Sequence, residues 1–248
     1  MDLKKNAFKA AIREGRLQRG IWCSLSDPLA AEMMAGCGFD WLLFDCEHSP
    51  IDPIRVLPLA QAVAPYPVSA LARPSCLNAA EIKRLLDIGI QTLVVPYVQN
   101  EDEAAQAAQA VDYPPRGIRG VAGMTRATGF TRIEGYHARA RDEICLIIQA
   151  ETAEALGRLE AMAAVPGIDG IFIGPADLAA SMGYPGQPSH PEVIAAVLDG
   201  IRRIRAAGLP AGLLTLDRDF GARAVEAGAS FITEDLDLVA LKRGLSRG

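Results

Sequence analysis

Basic residues are in the minority in this chain of 248 residues: 25 Lys and Arg stand against 30 Asp and Glu, a formal net charge of −5. A nucleic-acid binder needs a basic face for the phosphates, so that class is set aside. Long apolar runs are missing too. No stretch reaches the roughly 20 residues that span a bilayer. The amino-terminal MDLKKNAFKAAIREGR has neither the apolar core nor the cleavage site of a signal peptide, and it reads as a short amphipathic helix. Cysteine is sparse and odd in number. Cys23, Cys37, Cys46, Cys76 and Cys145 show no C-x-x-C spacing, which argues for small core residues in a reducing cytoplasm rather than disulfides or zinc ligands.

What the chain has in quantity is hydrophobic sequence, 50% of its residues, arranged as short apolar runs alternating with longer helical patterns. The runs fall at 21–25, 41–45, 68–72, 92–97, 145–150, 170–173, 211–214 and 230–233. They are nearly continuous in apolar residues, as expected of parallel strands buried on both faces. Helix starts are marked by Asp27-Pro28 and Asp52-Pro53, and by Asn78 three residues before Glu81. Further helical patterns run over 101–111, 152–163, 191–207 and 217–227, and Gly89, Gly208 and Gly228 stand where helices should stop. Eight such units without a linker predict a single α/β domain over 1–248, a closed (β/α)8 TIM barrel, with an open doubly wound sheet as the alternative. Two polar stretches, 113–137 and 181–190, are too long to be simple connections, and such loops in a compact barrel tend to be functional.

In a parallel barrel the reactive groups gather at the carboxyl ends of the strands. The second run delivers Asp45, Glu47 and His48, and the third Arg73. The fifth delivers Gln149 and Glu151, and the sixth Asp177, just after Gly174-Pro175-Ala176. Trp22 lies on the first. Glu151 and Asp177 end neighbouring strands, so their carboxylates can converge. Two carboxylates with open positions suit a hard divalent cation, Mg2+ or Mn2+, with Co2+ or Zn2+ as further candidates; each could instead simply cap a helix. His48 at a strand end suits a general base, for which Asp87 is a possible orienting partner or merely a solvated carboxylate. Arg73 could hold a carboxylate or an enolate oxygen, or form a structural ion pair. The segment Arg116-Gly117-Ile118-Arg119-Gly120 could bind an anion. Lysine is the informative scarcity: Lys4, Lys5, Lys9, Lys83 and Lys242 all lie in helix-like segments and none at a strand end. Schiff-base chemistry at the barrel mouth therefore has no candidate, and an enolate must be stabilised by a metal.

The motifs FDCEHSP, ARP, PPRGIRG, IIQAET and DGIFIGPADLAASMG, in that order, resemble the metal-dependent (class II) pyruvate aldolases typified by 4-hydroxy-2-oxoheptane-1,7-dioate aldolase, over nearly the whole chain. The resemblance implies that Glu151 and Asp177 bind the metal and that His48 is the base, oriented by Asp87. It implies that Arg73 contacts the pyruvate oxygen and that Gln149 borders the pyruvate. Trp22, Asp45, Gly174, Pro175, Ala176 and Leu214 would line the substrate pocket. The reaction implied is reversible cleavage of a 4-hydroxy-2-oxo acid to pyruvate and an aldehyde, without an organic cofactor, by a homo-oligomer, a hexamer with sites near its interfaces. The alternatives are a related barrel lyase acting on a sugar-derived 2-keto-3-deoxy acid or a coenzyme A thioester, and a non-catalytic binding barrel. The sequence departs from the family at 233–237, where TEDLD replaces a glycine-containing pattern and sets two extra acids, Glu234 and Asp235, beside the expected mouth.

Overall fold

The computed structural model describes residues 1–246. Eight parallel strands, β1 (Gln18–Cys23), β2 (Trp41–Asp45), β3 (Ser69–Arg73), β4 (Thr92–Val95), β5 (Cys145–Ala150), β6 (Gly170–Ile173), β7 (Ala211–Leu214) and β8 (Ala229–Leu236), close into a barrel in sequence order. This is the (β/α)8 architecture expected, and the open sheet is excluded by the pairing of β8 back onto β1. β2, β5, β6 and β7 coincide with their apolar runs. β1 begins earlier and β8 ends later than expected, because Gln18 and Arg19 pair with Phe231 and Ile232, and a register shift at Gly20/Ile21 bulges Glu234 out of the ladder.

Aspartate and asparagine caps start α2 (Pro28–Ala35), α3 (Pro53–Val63) and α4 (Ala79–Asp87), where Asp27, Asp52 and Asn78 accept backbone N–H bonds. α5 (Glu101–Val111) matches its expected span. Gly89, Gly208 and Gly228 all adopt positive φ past helix ends. The single helix expected over 152–163 is two short ones, α7 (Ala153–Leu156) and α8 (Leu159–Ala163), because Arg158 leaves helical geometry after Gly157. The remaining helices are α6 (Tyr136–Glu143), α9 (Pro175–Ser181), α10 (Pro191–Ala206), α11 (Arg218–Glu226) and α12 (Asp237–Leu245). None among the described residues is long and apolar enough to cross a membrane.

The amphipathic amino-terminal segment forms α1 (Ala7–Arg13) and plugs the barrel at its amino-terminal end. Phe8 enters the interior and meets Trp41 and Phe231 edge-on, with ring centroids 6.1 and 5.6 Å apart. Gly20 lets the Trp41 ring fill the interior, since a Cβ there would overlap the indole. Lys9, buried beneath β5 and β6, donates to the Ile144 carbonyl at 2.5 Å and lies 3.2 Å from Asp169. Lys4 and Lys5 precede α1 in extended chain rather than in a helix. No lysine stands at a strand's carboxyl end, as the sequence indicates.

The loop after α5 corrects another expectation. Arg116 and Arg119 are committed to carboxylates, Arg116 to Asp112 and Arg119 to Asp87, each at 2.7 Å. Arg119 is fully buried, with its guanidinium 4.5 Å over the Tyr113 ring. These arginines fold the loop onto α4 instead of forming an anion cradle.

Candidate active site

The polar residues of the strand ends converge at one mouth. A cavity of about 450 Å³ is lined there by Trp22, Asp45, His48, Arg73, Gln149, Gly174, Pro175, Ala176, Asp177 and Leu214. Of the expected site residues Glu151 and Asp87 do not line it, and neither does the strand-end acid Glu47. Glu151 lies just behind, buried, with Oε1 accepting the Tyr97 N–H at 2.9 Å and Oε2 accepting from Gln149 Nε2. Tyr97 reaches it from the end of β4 through a left-handed backbone, φ 56°, a strained conformation for a non-glycine residue.

Arg73 forms a two-pronged contact with Asp45, and its Nη1 lies 2.7 Å from Glu47. Its guanidinium stacks 4.7 Å over the Trp22 ring, whose Nε1 donates to Asp45 Oδ2 at 3.1 Å. Burial works to raise the Asp45 pKa, but the hydrogen bonds and charge of Arg73 more than offset it and hold the carboxyl below its usual range. Glu47 is pushed up, chiefly by burial, which outweighs the opposing charges of Arg73 and His48. Arg73 thus forms the ion pair that was one of its two readings, and that anchoring sets its guanidinium in the cavity wall.

Glu151 is pushed up to about 7, first by burial and then by the negative charge of Asp177, with Glu47 adding to it. A buried carboxylate raised by the charge of a second one beside it offers a donor pair for a cation. Gln149 Oε1 is buried without a partner, and a Cβ at Gly174 would collide with the Glu151 carboxylate and sit 2.9 Å from Gln149 Nε2. The bare glycine keeps that space for the carboxylate. Among the described residues no group of three His, Cys, Asp or Glu could hold a metal ion; two carboxylates with water and substrate oxygens as the remaining ligands suit a hard divalent ion. The residues fit such an ion.

His48 stands at the rim with its ring largely exposed, 3.9 Å from Glu47 Oε2. Its expected partner Asp87 is elsewhere in the same protomer: it ends α4, on the amino-terminal side of β4, and is paired with the buried Arg119. A helix following a barrel strand runs back toward the amino-terminal end, so its last residue cannot reach the mouth of its own barrel. Glu234 and Asp235 also point away from the cavity. Glu234 pairs with Arg19, and Asp235 with Arg243 at 2.5 Å; both line a groove on the barrel flank.

The cavity is also lined by Ser24, Phe172, Pro188, Ser189, Thr215, Leu216, Asp217 and Leu236, which sequence reasoning missed. Ser24 and the 215–217 segment follow strands β1 and β7, so the strand-end rule could have found them. Pro188 and Ser189 belong to the second long loop.

Residues 18–240 match the HpcH/HpaI aldolase/citrate lyase family. The chain is 57% identical to a pyruvate aldolase of Rhizobium etli, over 98% of this chain and 96% of that protein. It is 48% identical to a 4-hydroxy-2-oxo-heptane-1,7-dioate aldolase of Salmonella heidelberg, over 97% and 92%. The crystal structure of an HpcH/HpaI aldolase/citrate lyase family protein from Burkholderia cenocepacia superposes with a TM-score of 0.93 at 36% identity, covering 97% of this chain and 96% of that one.

Proposed function

Since this chain belongs to the HpcH/HpaI aldolase/citrate lyase family and is an aldolase, we propose that it reversibly cleaves 4-hydroxy-2-oxo acids to pyruvate and an aldehyde in a reaction that depends on a divalent metal. The observation that carries this reading is the buried Glu151, raised by the charge of Asp177 and set against Gly174, behind the wall of a cavity that Asp177, Arg73 and His48 line. Glu151 and Asp177 would hold a divalent ion of the Mg2+, Mn2+, Co2+ or Zn2+ group, which would supply the positive charge that an enolate needs.

Gln149 and the Gly174-Pro175-Ala176 turn bound the pyruvate half, while Trp22 and Leu214 wall it with apolar surface and keep water out. Arg73, fixed by Asp45, holds its guanidinium toward the oxygen that gains charge as the enolate develops. In cleavage His48 accepts the proton of the C4 hydroxyl, the C3–C4 electron pair passes to the enolate, and the aldehyde leaves. In synthesis the same histidine takes a methyl proton from pyruvate.

The orienting role of Asp87 is met in this proposal by Asp87 of a partner subunit, since the two residues lie apart within one chain. The protein then works as a homo-oligomer, a hexamer on the family resemblance. The exposed Ile118, Val121 and Met124 of the loop packed on α4 supply apolar surface for such contacts. Its five unpaired thiols suit the cytoplasm.

The test is exchange of pyruvate methyl protons with deuterated water, without any aldehyde. Chelation should abolish it and added Mn2+ restore it. Borohydride with pyruvate should leave no adduct. A pyruvyl-lysine trapped by borohydride would overturn the reading.

A further inference from the structure

We propose that His190 is a positioning residue for the active site: its ring, stacked on Tyr184, holds the loop between α9 and α10 as a fixed wall of the substrate cavity. The inference rests on the pyruvate aldolase reading above. It gives a task to the second long polar stretch, 181–190, which that reading leaves without one.

The loop reaches the cavity through Pro188 and Ser189, which line it together with Pro175, Ala176 and Asp177 of α9. Both residues are exposed, so their place is set by what holds the two ends of the loop. At its start the Ser181 hydroxyl accepts the Ala153 N–H at 3.0 Å, and the Tyr184 N–H reaches the Ala179 carbonyl at 2.7 Å. Two turns follow, from the Gln187 N–H to the Tyr184 carbonyl at 3.1 Å and from the His190 N–H to the Gln187 carbonyl at 2.9 Å. Side chains then close the loop on itself. The rings of Tyr184 and His190 lie nearly parallel, with centroids 3.7 Å apart and 15° between their planes. Tyr184 also packs against the hydrophobic core, so the stack ties the far end of the loop to the barrel.

Helix capping alone does not account for a histidine here. His190 Nδ1 accepts the Glu192 N–H at 3.3 Å at the start of α10, a task for which Ser, Thr, Asp and Asn are preferred. What the imidazole adds over those side chains is an aromatic face, and that face lies on Tyr184. A third contact closes the clamp: the Tyr184 hydroxyl donates to the Glu192 carboxylate, which pushes the phenol above its usual range. α10 does not need this clamp in order to fold, since it buries Val193, Val197, Leu198, Ile201 and Ile204 along its length. The clamp therefore serves the loop. A wall held in place before substrate arrives lowers the ordering cost of binding, whereas a loose one reduces apparent affinity by the fraction of molecules in which it is displaced.

The experiment uses the Mn2+-loaded enzyme with His190→Asn, which keeps the cap and loses the stack, Tyr184→Leu, which keeps an apolar contact and loses the stack, and the two combined. Cleavage of 4-hydroxy-2-oxoheptane-1,7-dioate is followed beside pyruvate methyl-proton exchange. Backbone amide exchange of the 182–192 segment is read without substrate. Each single variant should raise KM for cleavage about five- to tenfold and quicken amide exchange in the segment by a similar factor. The kcat of pyruvate proton exchange should change less than about twofold. The double variant should do no more than either single one, because the stack is already lost. His190→Asn with the KM and amide exchange of the wild type would reduce His190 to a helix cap and overturn the inference. Single effects that multiply in the double variant, or a fall in proton-exchange kcat as large as the rise in KM, would overturn it too. Absence of pyruvate proton exchange in the wild type would instead overturn the aldolase reading beneath it, while amide exchange still tests the clamp, so the two failures are distinguishable.

Discussion

Arg73 grips Asp45 with two hydrogen bonds, Nε to Oδ1 at 2.8 Å and Nη2 to Oδ2 at 2.7 Å, from the ends of adjacent strands. The pairing residues stand opposite one another in the β2–β3 register, so barrel closure itself sets the angle of the guanidinium. The arginine is held before substrate arrives, which is what electrostatic stabilisation of an enolate needs.

Arg73→Lys replaces that fork with a point charge. Turnover should fall about 10²-fold, with little change in the melting temperature. Asp45→Ala leaves a buried guanidinium short of its partner and should cost about 3 kcal/mol in urea unfolding, besides lowering turnover. Both are read from steady-state kinetics and denaturation on the same preparations.

The metal carboxylates should reveal themselves through protons. Glu151, pushed up to about 7 by burial and Asp177, is protonated in the metal-free protein at lower pH, and the cation must displace that proton. Mn2+ affinity should therefore fall as pH drops below about 7, by roughly tenfold per unit for one displaced proton. The sign for stability is the reverse. A carboxyl raised in the folded state stabilises the metal-free fold below its ordinary value of 4.5, and that contribution is lost as pH rises through about 7. Calorimetric titration and melting curves of metal-free protein, wild type against Glu151→Gln, measure both, and the variant should show neither dependence. Asp177→Asn should weaken the metal and move that pH dependence lower, because burial still raises Glu151 while the charge of Asp177 is gone.

His48 and Asp87 give a test by subunit mixing. His48→Ala should lower pyruvate proton exchange about 10²- to 10³-fold, and Asp87→Asn should lower it as well. If the two act across an interface, refolding the inactive variants together restores activity in the mixed oligomer, because one of its interfaces carries both intact residues. No recovery after confirmed mixing would leave Asp87 solely as the partner of Arg119.

Gly174→Ala tests the space beside Glu151. The added methyl meets the Glu151 carboxylate and sits 2.9 Å from Gln149 Nε2, so both groups must shift. Metal affinity should drop at least about tenfold while the protein still folds, as followed by titration and circular dichroism.

The barrel was legible because strands buried on both faces carry unbroken apolar runs, and 145–150 and 170–173 show them plainly. The ends of β1 and β8 were not, since Gln18, Arg19 and Glu234 look like loop residues and pair only because the ring must close. In the site, polar residues directly after buried runs pointed to Asp45, Arg73, Glu151 and Asp177. Spacing cannot say which way consecutive residues face, so Glu47 went unrecognised as the carboxylate beside both Arg73 and His48. The place of Asp87 was not legible for another reason: its pairing with His48 came from the family resemblance, and only the fold shows that the end of α4 lies on the amino-terminal side of its own barrel.

The plug of α1 makes the barrel a well with a single opening. Phe8 and Lys9 seal its floor, so nothing passes through, and whatever enters first lies deepest. With pyruvate against Gln149 and the aldehyde above it, traffic is last in, first out: the aldehyde must depart before pyruvate can. Pyruvate should therefore be the product that competes with the whole substrate for the empty enzyme, and the aldehyde should inhibit by re-entering a site already half full.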